Sequence, residues 1–555
     1  MFDRVGKRMR KNSFVEGTFI AYAAIVISKL MGALYSIPFY QMIGDQGGVI
    51  YSCAYSIYAL FLDISTSGVP IAVSIVISEY NAQGMYQSKE RAYSLALRVV
   101  MGLSVLSFLV MELFARQIGL YFLEDMTGGV SVEAIAAGVR VVAVCLLIAP
   151  LLSIKRGYLQ GHKFLSAPSQ SQVIEQLVRI AVVLVGTYLS IYVLKLGVTA
   201  GVCVALSGTA IGALAAYLYL VRKSRGSRDA FEEENPLAEE QPARTREIVR
   251  KVFSYCITIV IMTVSISVYN LVDMKMLLVG LHRLHYSDED TQVIASIAST
   301  WIPKICMIIT ALSTGLVSSI APHMAESRSN GDRGEINAKL NQALGTVVLI
   351  SVPLGLGMMI FARPLFTLFY GQNVYGAGIL QLAIVVNVVG SMATVTSMSM
   401  QSIGRGRTVC YVTIVGIILN AALDLPLIYL LHYLGLPAYL GASVASIVGQ
   451  AVTVGLLLLS LKMSYGFYYM PVLRVFLREL IPMAAMAAVA FLLRWIWPPV
   501  DHRGVLLVVQ LAVYALVGGG TYLVLAYRVG AVTTVLGEEA VQRFLGKFKG
   551  GRKEK

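Results

Sequence analysis

An all-α membrane protein of about fourteen transmembrane helices is the fold this sequence predicts, on three observations. Hydrophobic residues make up 57% of the 555-residue chain and charged residues only 14%, with a mean hydropathy of +0.72. That is far from the composition of soluble globular domains. Apolar runs of about 20 residues, each able to cross a ~30 Å hydrocarbon core, recur along the whole chain. The basic residues outside those runs fall mostly in alternate connections, as a fixed membrane topology requires.

The apolar runs are centred near residues 28, 64, 105, 147, 182, 209, 264, 308, 350, 390, 420, 450, 485 and 515. Five Lys/Arg residues in MFDRVGKRMRKNS precede the first run. That run is too long for a signal peptide, contains Lys29 and lacks an A-x-A cleavage site, so it reads as a retained anchor. At 1.5 Å per residue Lys29 lies about 18 Å along the first helix, near the bilayer midplane. A hydrophilic stretch, RKSRGSRDAFEEENPLAEEQPARTREIVRK, follows the sixth helix and reads as a flexible cytosolic linker.

The two sides of that linker resemble each other. Glu79 and Gly84 recur as Glu326 and Gly331, and Gln160 recurs as Gln401, each at the basic end of the corresponding helix. These spacings predict two six-helix lobes of the same orientation: residues 1–222 with helices 1–6, then the linker at 223–247, then residues 248–462 with helices 7–12. Residues 463–528 add two further helices, and 529–555 form a basic cytosolic tail. Parallel repeats of this kind place a cargo site between the lobes near mid-membrane. Pro38, Pro70, Pro150, Pro303, Pro353 and Pro426 mark candidate kinks and cavity walls.

With the N-terminus inside, 33 of the 45 Lys/Arg residues fall in the inner connections and tails. Six lie in outer connections: Arg116, Lys195, Arg283, Arg363, Arg494 and Arg503. Both termini are therefore expected in the cytoplasm. The same placement explains the net charge of +14 without a nucleic-acid partner; the bilayer is the partner of the basic tail. Cys53, Cys145, Cys203, Cys256, Cys306 and Cys410 lie in apolar runs with no metal-ligand spacing and read as packing residues. The P-loop, HExxH, GxSxG and Rossmann motifs are absent, and no catalytic residue, cofactor or metal is predicted. Energy then has to come from an ion gradient, the membrane potential or consumption of the cargo, which leaves a coupling cation among the candidate partners.

Six basic residues fall inside the apolar runs: Lys29, Arg98, Arg140, Arg179, Lys275 and Lys304. Charge at such depth is a functional-site hypothesis by default. Arg98 and Arg140 lie near helix ends, within snorkelling reach of the interface. Lys275 also lies near a helix end, two residues from Asp273, and the neighbouring loop LHRLHYSDEDT reads as solvated. Arg179 follows Glu175 by four residues, a spacing that allows an ion pair on one helix face as well as a cavity role. Lys29 and Lys304 have no acid three or four positions away. A cation with no local partner points to an anionic cargo. Asp63 and Asp273 are the candidate acidic partners or ion ligands, with Asn270 on the face of Asp273.

The segments SKLMGALYSIPFYQMIG, KRGYLQGHKFLSAPSQSQVIEQLVRI and GIILNAALDLPLIYL, together with the six plus six plus two plan, resemble the MurJ-type lipid II flippases. These belong to the multidrug, oligosaccharidyl-lipid and polysaccharide (MOP) exporter superfamily. The similarity is closest to the Gram-positive branch and covers essentially the whole chain; sporulation-type and general polysaccharide exporters carry close variants of the central block. The resemblance implies a multi-pass protein of the bacterial cytoplasmic membrane, working by alternating access on an undecaprenyl-pyrophosphate-linked saccharide. It implies a cavity lined by basic residues of the first, second and eighth helices. Lys29 matches the first-helix position and Lys304 falls within one position of the eighth-helix one. Two departures stand out: an Arg-Asp pair of the Gram-negative branch is Tyr35-Ser36 here, and its second-helix arginine falls around Leu62-Asp63.

The candidate cavity set is thus Lys29, Lys304, Arg179, Asp63, Asn270 and Asp273, and the candidate cytosolic gate is Arg156, Gln160 and Glu175. The leading function is translocation of the lipid-linked peptidoglycan precursor. A flippase for another lipid-linked glycan is the nearest alternative, ahead of a drug/cation antiporter and a non-transporting cell-wall scaffold.

Overall fold

The computed structural model describes residues 14–124, 126–225, 244–311, 324, 327, 328 and 332–536. The N-terminal basic run, most of the 223–247 linker, the repeat positions Glu326 and Gly331, and the last part of the basic tail lie outside the described residues. Among the described residues no strand occurs, and thirteen helices are long and apolar enough to cross a membrane. The first apolar run adds a shorter apolar segment, Ala23–Leu34, so the runs read from the sequence are all found as helices. The chain divides into two compact units, residues 1–304 and 305–555.

The first unit contains α1 (Phe14–Leu34), α2 (Ser36–Thr66), α3 (Val69–Ala82), α4 (Tyr86–Leu113), α5 (Ala115–Leu123), α6 (Val132–Ala143), α7 (Cys145–Gly161), α8 (Ser166–Ala181), α9 (Val198–Arg225), α10 (Thr245–Arg283) and α11 (Asp288–Ser296). Local sequence sets the bends. Pro38 has no N–H for the carbonyl of Leu34, so the chain turns between α1 and α2, and Ser36 Oγ donates to the Ala33 carbonyl at 2.6 Å. Ser36–Asn81 is a continuous apolar stretch of 46 residues, far longer than one crossing needs. It breaks at Gly44, whose φ of 63° is open to glycine at little steric cost. Ser131 and Ser287 cap α6 and α11, accepting from Ala134 N and Asp290 N.

Small residues let these helices approach closely, as expected where apolar lipid supplies no drive for association. The buried stripe of α4 runs Ser88, Lys89, Ala92, Ala96, Val100, Ser104, Ser107 and Met111, small for the most part. At the crossing of α7 with α3, a Cβ on Gly157 would stand 2.6 Å from the Pro70 carbonyl oxygen. Arg98 and Arg140 are exposed, in keeping with snorkelling.

Lys275 does not reach water, and the loop read as solvated is anchored. Lys275 is 6% exposed; its Nζ pairs with Glu124 Oε1 at 2.6 Å and donates to the Tyr121 carbonyl. Asp288 Oδ2 accepts from Thr127 N and Gly128 N at 2.9 Å, and its Oδ1 meets His282 Nδ1 at 2.9 Å. Gln292 accepts from Val130 N and donates to the Gly128 carbonyl, both at 2.9 Å. Turns of the 124–131 connection expose backbone groups that no helix satisfies, and α10 and α11 supply the missing partners.

The second unit contains α12 (Arg333–Ile360), α13 (Ala362–Tyr370), α14 (Gly376–Ser402), α15 (Gly406–Tyr433), α16 (Gly441–Tyr465), α17 (Met470–Ile496), α18 (Val505–Arg528) and α19 (Ala531–Leu536). Helices α17, α18 and α19 pack on α12 through Val348, Leu349, Val475, Met483, Met486, Tyr522, Ala531 and Val535. The α17–α18 connection is fastened by Arg503, which donates to the Thr367 and Phe369 carbonyls at 3.0 and 3.1 Å. The cation satisfies the Phe369 carbonyl near the C-terminus of α13 and adds a second donor to the Thr367 carbonyl, which also accepts from Gly371 N at 3.0 Å.

Two outcomes test this packing. Gly157→Val should destabilise the first unit by about 1–3 kcal/mol, because backbone rather than a flexible side chain blocks the added methyls. A thermal unfolding midpoint equal to wild type in detergent contradicts the crossing. Gln292→Ala should lose about 1–3 kcal/mol by stranding two backbone groups of the 124–131 connection. Accelerated hydrogen exchange confined to Gly128–Val130 is the local sign to look for.

Candidate functional site

Two of the predicted cations, Lys304 and Arg179, meet one aromatic cluster in the first unit. The helix begun by α11 continues through a π-helical turn at Ile297–Trp301. Lys304 follows Trp301 by three residues on the same face. Its Nζ stands 4.0 Å from the Trp301 ring centroid, 4.8 Å from Tyr51 and 5.6 Å from Tyr35. Lys304 is 8% exposed, and Nζ has no hydrogen-bond partner among the described residues. Aromatic faces attract a cation by about 0.5–2 kcal/mol each, and they leave its three N–H donors free.

Arg179 reaches the cluster from α8. Its Nη2 donates to Tyr51 Oη at 3.2 Å, and its guanidinium lies 5.6 Å from the Tyr55 centroid. Tyr51 and Tyr55 stack with centroids 5.5 Å apart, so Lys304 and Arg179 share the ring of Tyr51. A π-helical turn also adjoins Arg179, at Val182–Gly186. Such turns shift the helix register and often accompany functional sites. Among the described residues neither cation forms an ion pair.

The cluster is held rigidly. Trp301 Nε1 donates to Ser296 Oγ at 3.0 Å, which in turn shares a hydrogen bond with Ser52 Oγ at 2.8 Å. Tyr40 meets the Trp301 ring edge-on at 4.7 Å and donates to Asp45 at 2.5 Å. Gly48 makes room: a Cβ there would stand 3.0 Å from Trp301 Nε1 and from Tyr40.

The other predicted residues make separate contacts in the first unit. Lys29 is half-buried on α1, which packs against α8, the helix of Arg179. Asp63 is half-buried and accepts from Ser267 Oγ, tying α2 to α10. Further along α10, Asp273 is half-buried and Asn270 is exposed. Glu175 does not pair with Arg179. It accepts from Arg156 Nη2 at 2.8 Å, while Arg156 Nε donates to Ser171 Oγ at 2.9 Å, fastening α7 to α8. Gln160, one turn beyond Arg156, is half-buried, and its carbonyl accepts from Lys163 N at 2.9 Å.

Sequence reasoning missed the aromatic wall: Tyr35, Tyr51, Tyr55 and Trp301. One signal was available, since Trp301 is one of only three tryptophans and lies three residues before Lys304. Tyr51 and Tyr55 are also one turn apart, but nothing local indicates that they serve cations on two other helices.

The arrangement defines a class. A helical membrane protein with two cations set on tyrosine and tryptophan faces, neither of them in an ion pair among the described residues, presents a site that can attract an anionic group. Its fold is that of the MurJ/MATE-like transporters. One solved structure, a lipid II flippase MurJ in an inward-closed conformation, is 15% identical with a TM-score of 0.63, covering 92% of this chain and 98% of that one. An inward-facing multidrug resistance MATE transporter of the MOP superfamily is 14% identical with a TM-score of 0.63, covering 80% and 98%.

Sequence comparison narrows the class. Residues 14–281 match the family model described as polysaccharide biosynthesis protein, and residues 258–425 match the MatE model. The lipid II flippase MurJ of Bacillus subtilis (strain 168) is 26% identical over 557 residues, spanning 98% of this chain and 99% of that protein. Homology to that flippase runs over nearly the whole length of both proteins.

Inorganic pyrophosphate provides a direct probe of the two cations. With Trp495→Phe and Trp497→Phe, Trp301 emission reports the cluster alone. Pyrophosphate should change that emission saturably, and Lys304→Met or Arg179→Met should each weaken the effect by about tenfold or more, the loss of one charged hydrogen bond. Unchanged titrations in both variants contradict an anion site here.

Proposed function

We propose that the chain is a flippase for an undecaprenyl-pyrophosphate-linked peptidoglycan precursor, lipid II, which it moves across the bacterial cytoplasmic membrane by alternating access. The observation that carries this reading is the pair of cations, Lys304 and Arg179, gathered on one aromatic cluster without a carboxylate partner. A pyrophosphate entering a membrane protein needs compensating charge, because unpaired ions are costly away from water. Cations already neutralised by acids would have to break a bond before binding it.

Lys304, Arg179 and Lys29 take the pyrophosphate in this reading, and Asp63, Asn270 and Asp273 offer polar contacts to sugar and peptide. The flat faces of Tyr35, Tyr51 and Trp301 suit the apolar face of a sugar ring. The Arg156–Glu175 pair, with Gln160 one turn on, forms the cytosolic gate. The undecaprenyl tail stays in the bilayer, and both termini face the cytoplasm. Homology to the Bacillus flippase over nearly the full length supports the cargo. A second reading, export of another lipid-linked saccharide, is favoured by the match of residues 14–281 to polysaccharide biosynthesis proteins.

Complementation separates the two. In cells depleted of their own lipid II flippase, wild type should restore growth, while Lys304→Ala and Lys29→Ala at equal membrane levels should not. Failure of a properly inserted wild type moves the cargo to another lipid-linked glycan. Full rescue by both variants removes these lysines from the translocation path.

A further inference from the structure

The second unit holds an ionisable group that the cargo reading does not use. Glu479, on α17, is 0% exposed, and neither carboxyl oxygen has a hydrogen-bond partner among the described residues. Val475 and Met483, one turn away on either side, belong to the apolar cluster that joins α17 to α12, α18 and α19. From α18 the titratable group of that cluster is Tyr522, whose hydroxyl is committed to the Leu349 carbonyl at 2.6 Å. The cluster residues of α12 and α19, Val348, Leu349, Ala531 and Val535, are not ionisable. On α17 itself Arg474 and Arg478 point outward as exposed residues, and Arg478 Nη1 donates to Thr534 Oγ1 at 2.5 Å.

An isolated carboxylate in such surroundings is strongly disfavoured, whereas the neutral acid can be accommodated. A second feature adjoins it. Pro482 lies inside α17 and is buried; having no N–H, it leaves the carbonyl of Arg478 without its helical partner, weakening the helix in the turn that carries Glu479.

We propose that Glu479 is a proton-binding site coupled to movement of α17. In the packed arrangement the carboxyl holds its proton. When α17 bends at Pro482 and water reaches the turn, the O–H bond breaks, its electron pair stays on the carboxylate and the proton passes to water. Intramembrane acids serve as proton relays in pumps and transporters on the same physical grounds. The coupling cation is then a proton, bound among the two C-terminal helices rather than beside the buried cations of the first unit.

The test needs no cargo and so stands apart from the flippase reading. Infrared spectra of the full-length protein in proteoliposomes at neutral pH should contain a carboxylic-acid carbonyl band that disappears in Glu479→Gln, which mimics the neutral acid in size. In a chain with its six cysteines replaced, Met483→Cys then reports access to a water-soluble methanethiosulfonate. Its labelling rate with Glu479 present, divided by the rate with Glu479→Gln, should rise by up to about tenfold per pH unit where the single proton is released. No band lost in Glu479→Gln overturns the proton site. A lost band with a flat labelling ratio overturns the coupling and leaves a static buried acid.

Discussion

The expense of holding charge away from water is the constraint around which this structure is arranged. Several ionisable side chains among the described residues are buried or half-buried, and they are resolved in different ways. Arg156 and Glu175 neutralise each other between α7 and α8. Lys275 is neutralised by Glu124 and also satisfies a backbone carbonyl. These pairs are self-contained and need nothing further. Lys304 and Arg179 are stabilised by aromatic quadrupoles and one tyrosine hydroxyl, which lower the cost of burial without cancelling the charge. Glu479 is held by neither charge nor hydrogen bond.

Backbone irregularities place these groups. Both aromatic-box cations adjoin π-helical turns, at Val182–Gly186 and Ile297–Trp301, and Tyr51 lies seven residues beyond the break at Gly44. A regular α-helix repeats its faces every 3.6 residues, so inserting a π turn re-aims everything beyond it. Gly48 lets α2 approach Trp301 closely enough for the indole to sit under Lys304. Irregular turns are also weak points, where helices bend at lower cost than within a continuous ladder. Groups set beside such turns can shift at lower cost than groups within a continuous helix.

The serine-rich and glycine-rich contact faces of α4 and α7 belong to the same logic. In lipid, helices gain little by hiding apolar surface from a solvent that is itself apolar, and close backbone approach supplies the packing energy instead. Large apolar residues such as Leu113, Leu194 and Trp495 are left exposed, as suits a surface solvated by acyl chains.

Hydropathy alone was sufficient for the helical class and for the positions of the helices long and apolar enough to cross, because a segment that must cross ~30 Å of hydrocarbon has to be long and apolar wherever it later packs. Composition likewise singled out Lys29, Arg179, Lys304 and the acids among them, since buried charge stands out in a 57% hydrophobic chain. Partnership was not legible. The four-residue spacing of Glu175 and Arg179 suggested an ion pair, yet Glu175 turns to Arg156 on α7 and Arg179 to Tyr51 on α2. Nor could the sequence show that Asp288 and Gln292 anchor the 124–131 connection, or that Tyr51 serves two cations from α8 and from the helix of Trp301. Spacing along one helix reports which side chains share a face. Which neighbour that face meets is decided by helix crossings between segments far apart in the chain, and only the tertiary structure contains them.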